Sequence, residues 1–224
     1  MHVSQETIYR SLFIQARGVL KKELIKHLRS RRGMRRSRHS SSAEAEAESR
    51  TSISDLVSIR ARPKAVEDRV VAGHWEGDLI SGAKNSHIAT LVERQPRFTM
   101  LVHVGGEDTA SVVSVLCREV GQHPEELKRS LTRNRGGELG NHRNFTLATD
   151  MQVYFCGPQS PWQRGSNENN NRLLRQCFPK KTDLSGYSQE PLNAFSRKRN
   201  ERLRKTLDYL TPVEKLQSIF ALTA

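Results

Sequence analysis

Three strand-length runs follow one another in the middle of the chain: GHWEGDLIS, HIATLVERQ and RFTMLVHV. Their tight connections predict a β-meander, and a meander must be covered by further layers before it can hold a core. Those layers are legible downstream. Thr109 to Val120 carries Val112, Val113, Leu116 and Val120 at helical spacing, with Gly121 as the expected stop. SLTR and VYFC read as two further short strands, and Trp162 to Phe178 as a helix burying Leu173, Leu174 and Phe178. Ser188 to Arg202 and Pro212 to Leu222 read as closing helices. This order of elements predicts an α/β fold, a mixed sheet flanked by helices, from residue 53 to 224. No internal repeat is visible.

The chain upstream has a different texture. Residues 3–14 start at a plausible N-cap, Ser4, and carry Ile8, Leu12 and Phe13 at helical spacing. Residues 18–30 place Leu20, Leu24 and Leu28 on one stripe. Residues 1–30 are therefore expected to be a short, basic, helical arm. Residues 31–52 are arginine-rich, then serine-rich, then an alternating Ala-Glu tract. Such a composition cannot bury a core and predicts a disordered linker.

Charge narrows the partner. Lys and Arg number 37 against 24 acids, a net charge of +13. This suggests a polyanion, with nucleic acid ahead of an anionic membrane surface. Lys21, Lys22, Lys26, Arg29, Arg31, Arg32, Arg35, Arg36 and Arg38 face a single acid, Glu23, across that stretch, and read as a phosphate-binding arm. The bland alternative is a solvated tail. No apolar run approaches the roughly 18–20 residues that span a bilayer, and no signal peptide is visible. Cys117, Cys156 and Cys177 lack the pairing of a zinc site and read as reduced. The expected location is cytoplasmic, nucleoid-associated when bound to DNA.

Three positions could carry chemistry. Asp78 is an acid inside an apolar strand, costly unless paired or bound to metal, and Glu76 shares its strand face. The alternative is an edge-strand acid facing water. Glu168 lies on the expected helix with Arg164, Arg172 and Arg175 at neighbouring spacings; alone, it would read as a salt-bridged surface helix. Asn167, Asn169, Asn170 and Asn171 are poor helix formers, better suited to contacting DNA or ordering a metal shell. Asn134 follows a strand at a polar glycine turn, where a nuclease would want an aspartate. Two divalent ions about 3.5–4 Å apart need shared carboxylates, and an amide offers one weak oxygen and no charge.

GHWEGDLI, TLVERQPRF, SLTRNRGGE, VYFCGPQSPWQRGSNEN, LLRQCFPKKTDLSGYS and RKTLDYLTP, in that order, resemble the insertion-sequence-thirty family of DDE transposases. The resemblance implies an RNase H-like integrase catalytic core behind the basic arm. It implies Mg2+- or Mn2+-dependent cleavage and strand transfer of DNA, with element ends and target as partners and a homo-oligomer assembled on DNA. By position, the three catalytic, metal-holding residues are Asp78, Asn134 and Glu168, with 33 residues between the second and third. Arg164, Asn167 and Arg172 join the basic arm as expected DNA contacts. The chain departs from the family pattern at four places: Asn134 replaces an aspartate, Gly157 an aspartate, Gln159 a histidine and Leu203 a proline. Most of the family's amino-terminal helix-turn-helix has no counterpart before residues 3–14. Together these predict a truncated, catalytically impaired copy. Two other readings stay open: a non-catalytic DNA-binding remnant that inhibits an intact transposase, and an RNase H-like nuclease.

Overall fold

His74–Ser81, His87–Glu93 and Thr99–Val104 form strands β1, β2 and β3, each antiparallel to the next, so the expected meander is present. Ser130–Arg133 and Gln152–Phe155, strands β4 and β5, add in parallel on the other side of β1. The sheet order is β3-β2-β1-β4-β5, which makes it mixed and puts β1 at its centre. The computed structural model describes residues 56–67, 69–105, 108–134, 142–157 and 160–223. The chain divides into two compact units, Met1–Glu46 and Ala47–Ala224, and every described residue belongs to the second. The expected helices at 3–14 and 18–30, the linker at 31–52 and the basic side chains from Lys21 to Arg38 lie outside the described residues.

Side-chain alternation divides β1 between two cores. Trp75 and Leu79 face the first, where Leu91, Val102, Leu131 and Val153 meet helices α1, Thr109–Gly121, and α2, His142–Thr149. Gly77 shares that face: a Cβ there would stand 3.1 Å from Leu131 Cδ1 and 3.3 Å from Leu91 Cδ2, so the layer leaves little room for a side chain. Glu76, Asp78 and Ile80 face the other way. There Ile80, Ile88 and Leu101 pack with Leu174, Phe178, Leu184 and Leu192. The second layer is built from α3, Gly165–Leu174, and α4, Gln189–Asn200. A final helix, α5, Pro212–Thr223, brings Leu216 against Ala72 and Leu127.

Two details differ from the sequence expectation. Helix α3 begins after a 3-10 turn, Pro161–Arg164, and stops at Leu174 instead of running to Phe178. The amides of Cys177 and Phe178 both turn back onto the Leu174 carbonyl at 2.8 Å, and Phe178 then stacks edge-on against Tyr187 and Phe195. Leu173 is only half-buried, because the inward stripe is Asn167, Asn170 and Leu174. The edge strand β3 is covered by polar side chains. Gln189, Ser196 and Asn200 of α4 bond the backbone of Leu101, His103 and Thr99, which removes an open ladder.

Candidate active site

The face of β1 that carries Glu76 and Asp78 is roofed by α3. Glu76 is fully buried: its Oε2 accepts the Asn167 amide at 2.8 Å, and its Oε1 lies 3.5 Å from Arg94 Nε. Asn167 bridges two strands, its Nδ2 donating to the Glu76 carbonyl and its Oδ1 accepting from the Thr90 hydroxyl. Two residues along β1 and one helical turn along α3, the pattern repeats with a difference. Asp78 Oδ2 accepts from Asn171 Nδ2 at 3.1 Å and pairs with Arg164 at 3.1 Å, but its side chain keeps 19% exposure. Arg164 is itself buried and also donates to the Gly77 carbonyl. Burial works against its charge, yet Asp78 holds its pKa above the usual value.

The second position follows the strand next to β1. The parallel pairing of β1 with β4 ends at Glu76 and Thr132; Asp78 follows two residues further along β1, and Asn134 two residues further, just past the end of β4. Asn134 Oδ1 is buried and has no hydrogen-bond partner among the described residues; the same holds for Asn171 Oδ1. Glu168 follows Asn167 in the first turn of α3 and is exposed on its outer side. The protein on its inner side displaces enough water to raise its pKa, and the charges of Asp78 and Glu76 push the same way against Arg164.

Not every expected DNA contact is at the surface. Arg164 and Asn167 are buried, with 5% and 0% exposure, and their polar groups are spent on β1 and β2. They hold α3 onto the sheet, and their burial stands against the DNA contact expected of both. Arg172 is exposed, its Nη2 donating to Asn169 Oδ1. Gly157 donates its amide to Gln163 Oε1, and Leu203 is 66% exposed. Gln159 lies outside the described residues.

No family model matches the chain. Individual relatives do. It is 45% identical over 224 residues to the transposase InsI of insertion sequence element IS30A from Escherichia coli (strain K12), covering all of this chain and 58% of that protein. It is 43% identical over 222 residues to the transposase of IS1086 from Cupriavidus metallidurans, and 33% identical over 218 residues to that of IS4351 from Bacteroides fragilis, covering 64% of each. The chain is thus similar along nearly its whole length to transposases of the IS30 family. It spans 58–64% of the length of these relatives. Its fold is that of an integrase catalytic core. The core domain of BIV integrase superposes with a TM-score of 0.50 at 16% identity, covering 68% of this chain and 99% of that one.

The residues around β1 offer a few oxygen donors of the kind that hold a hard cation. Among the described residues no three His, Cys, Asp or Glu side chains gather closely enough to hold a metal ion. The oxygens available around β1 are the carboxylates of Asp78 and Glu168 and the two unsatisfied amide oxygens of Asn134 and Asn171. Oxygen donors of this kind suit Mg2+ or Mn2+. Asp78 is already matched by Arg164, and position 134 carries an amide, which offers an oxygen but no charge. Sequence reading missed Arg94 and the structural role of Glu76. Their signal was present: HWEGD and VERQ place charges inside otherwise apolar strands that pair Trp75 with Glu93.

Proposed function

We propose that Asp78, Asn134 and Glu168 form the DNA-cleaving and strand-transfer centre of an insertion-sequence transposase, impaired in this chain by the amide at 134. The observation that carries this reading is the parallel pairing of β1 with β4, strands after whose last paired residues Asp78 and Asn134 follow, with the helix bearing Glu168 bonded over β1. In the reaction, water breaks a phosphodiester bond at the element's end and frees a 3′-hydroxyl, which then attacks a phosphodiester of the target. Asp78, Asn134 and Glu168 would hold a divalent cation, which would supply positive charge where the reacting phosphate gathers negative charge. The chain's own groups prepare the site. Arg164 and Asn171 fix the Asp78 carboxylate, and Asn167 anchors α3 so that Glu168 stands over the sheet. Loss of one carboxylate from such a site costs several kcal/mol of transition-state stabilisation, on the order of a thousandfold or more in rate.

The test is Mn2+-dependent nicking of supercoiled plasmid by the purified chain. No nicking by the unmodified protein is expected. Robust nicking that Asp78→Ala or Glu168→Ala abolishes overturns the impairment while keeping the site. Asn134→Asp is expected to strengthen Mg2+ binding without restoring full transposition, since Gly157 and Gln159 remain as separate departures. The neutral amide at 134 also favours a second reading: a DNA-binding member that assembles with an active transposase and inhibits it. Tight duplex binding without nicking, together with inhibition of an active relative in a mixed assay, supports that reading.

A further inference from the structure

The motif RKTLDYLTP, residues 204–212, contributes nothing to the site above, yet it folds into a tight, well-bonded loop. The Arg204 amide donates to the Leu210 carbonyl, and the amides of Leu207 and Tyr209 return to the Arg204 carbonyl. Asp208 and Tyr209 take left-handed backbone conformations, φ 53° and 64°. This loop forms one wall of a cavity of about 320 Å3, whose other walls are the turn between β2 and β3, the segment before β1 and the start of α5. Arg69, Arg97 and Lys215 line it with Gln95 and Thr206, against a single acid, Asp208.

Three half-buried cations around one cavity need an explanation. Among the described residues, none of the side chains of Arg69, Arg97 and Lys215 makes a hydrogen bond or an ion pair. Arg69 and Arg97 are close enough to repel: burial first, then the charge of Arg69, depresses the Arg97 pKa. Both arginines also sit at positive φ, 54° and 60°, where non-glycine residues are uncommon and carry strain. Like charges held together, desolvated and unpaired, are unfavourable unless a ligand compensates. The Arg94 amide donates to the His74 carbonyl, so the cavity lies at the start of β1, beyond Glu76 from Asp78.

We propose that this cavity is a second DNA contact, a pocket in which Arg69, Arg97 and Lys215 hold a backbone phosphodiester of the duplex. The guanidinium forks of the two arginines match the non-bridging oxygens, and the lysine adds a point charge. Gln95 and Thr206 add polar groups at the same wall. The pocket thereby fixes the duplex at one end of β1 while Asp78 lies further along the strand. The proposal rests on the reading of the chain as DNA-acting.

The test compares Arg97→Gln/Lys215→Gln with Arg60→Gln/Lys64→Gln, which removes the same charge from two exposed positions elsewhere. Binding to a fluorescent duplex of arbitrary sequence is followed by anisotropy across a range of NaCl concentrations. The pocket variant is expected to lose about 0.9 from the slope of log affinity against log salt for each phosphate contact removed, and the control much less. Its melting temperature should hold or rise, because it relieves a repulsion; if the double variant fails to fold, Arg97→Gln alone is read. In parallel, inorganic phosphate should protect Arg97 from phenylglyoxal in the full chain. Equal slope losses in the two variants overturn the pocket. Phosphate protection with an unchanged slope also overturns it, leaving a site for free phosphate. If the unmodified chain binds no duplex, the DNA-acting reading itself fails, a result distinct from a defect confined to the pocket variant.

Discussion

Two carboxylates stand two residues apart on one face of β1, each opposite an arginine and each touched by an asparagine of α3. Glu76 is sealed: it faces Arg94 and receives the backbone amide of Asn167, with no exposure. Asp78 faces Arg164 and the side chain of Asn171, but remains 19% exposed, and Asn171 Oδ1 has no hydrogen-bond partner among the described residues. The same ion pair thus does different work at the two positions. Buried completely, it is a rivet that costs much to break and contributes little net stability when intact. Left partly open, beside oxygens that lack donors, it is a carboxylate that can change partners.

The largest expected effect tests the rivet. Glu76→Ala takes from the buried Arg94 the larger of its two acidic neighbours' contributions, leaving Glu93, and leaves the Asn167 amide without an acceptor. It should destabilise the fold by about 3–5 kcal/mol. Glu76→Gln keeps one oxygen for Asn167 and should cost less. Thermal melting of both variants measures this, and a melting temperature close to the unmodified chain's for Glu76→Ala would erase the distinction between the two carboxylates.

Asp78→Ala should be milder. Arg164 loses its ion pair but keeps the Gly77 carbonyl, and the position can admit water. A loss of about 1–3 kcal/mol is expected, the usual cost of an unmatched hydrogen-bonding group. The variant should fold, bind duplex DNA with nearly unchanged affinity, and fail to respond to Mg2+ in a melting experiment. A larger loss than that of Glu76→Ala would assign Asp78 to the framework instead.

The contrast also explains what sequence could and could not tell. Apolar runs marked β1, β2 and β3 because alternation and length are local properties, and Asp78, Asn134 and Glu168 were singled out because they sit in specific strings. The parallel addition of β4 and β5 beside β1 was open, since pairing between distant short strands leaves no local trace. Arg164 and Asn167 looked like surface residues of a polar helix. Only the approach of α3 to β1 and β2 shows that their polar groups are used inside. The cationic cavity was invisible for the same reason: Arg69, Arg97 and Lys215 come from three separated segments and carry no common motif.

Asn134→Asp sharpens the comparison from the other side. In the proposed site it adds a negative group to Asp78 and Glu168, where like charges repel. Without metal, stability should fall by about 1 kcal/mol, the scale of one pKa unit of unfavourable interaction. With Mg2+ the order should reverse. The variant should gain about 2.7 kcal/mol at a concentration a hundred times its dissociation constant, and the unmodified chain much less at the same concentration. Calorimetric melting with and without Mg2+ measures both. Equal responses would mean that position 134 is not part of the cation site.

The smallest effect concerns pH, at the sealed end of the sheet. Glu93 is fully buried, and burial raises its pKa to about 7 although the amides of Gln95, Gly73 and His74 oppose the shift. Burial, followed by the charges of Arg129, Arg94 and Arg62, lowers His74 to about 4. From pH 4.5 to 7 the folded protein binds a proton at Glu93 that the unfolded chain releases, so that group makes stability fall as pH rises. From pH 4 to 6.5 the unfolded chain binds a proton at His74 that the folded protein excludes, so that group makes stability rise. Each slope is bounded at about 1.4 kcal/mol per pH unit for one proton, and the two oppose each other where they overlap. The unmodified chain should therefore show little contribution from this pair between pH 4.5 and 6.5. Glu93→Gln should make stability rise more steeply with pH across that window, and His74→Gln should make it fall. Urea melts at several pH values give the slopes, and two variants that tilt the same way would show that the cancellation is not there.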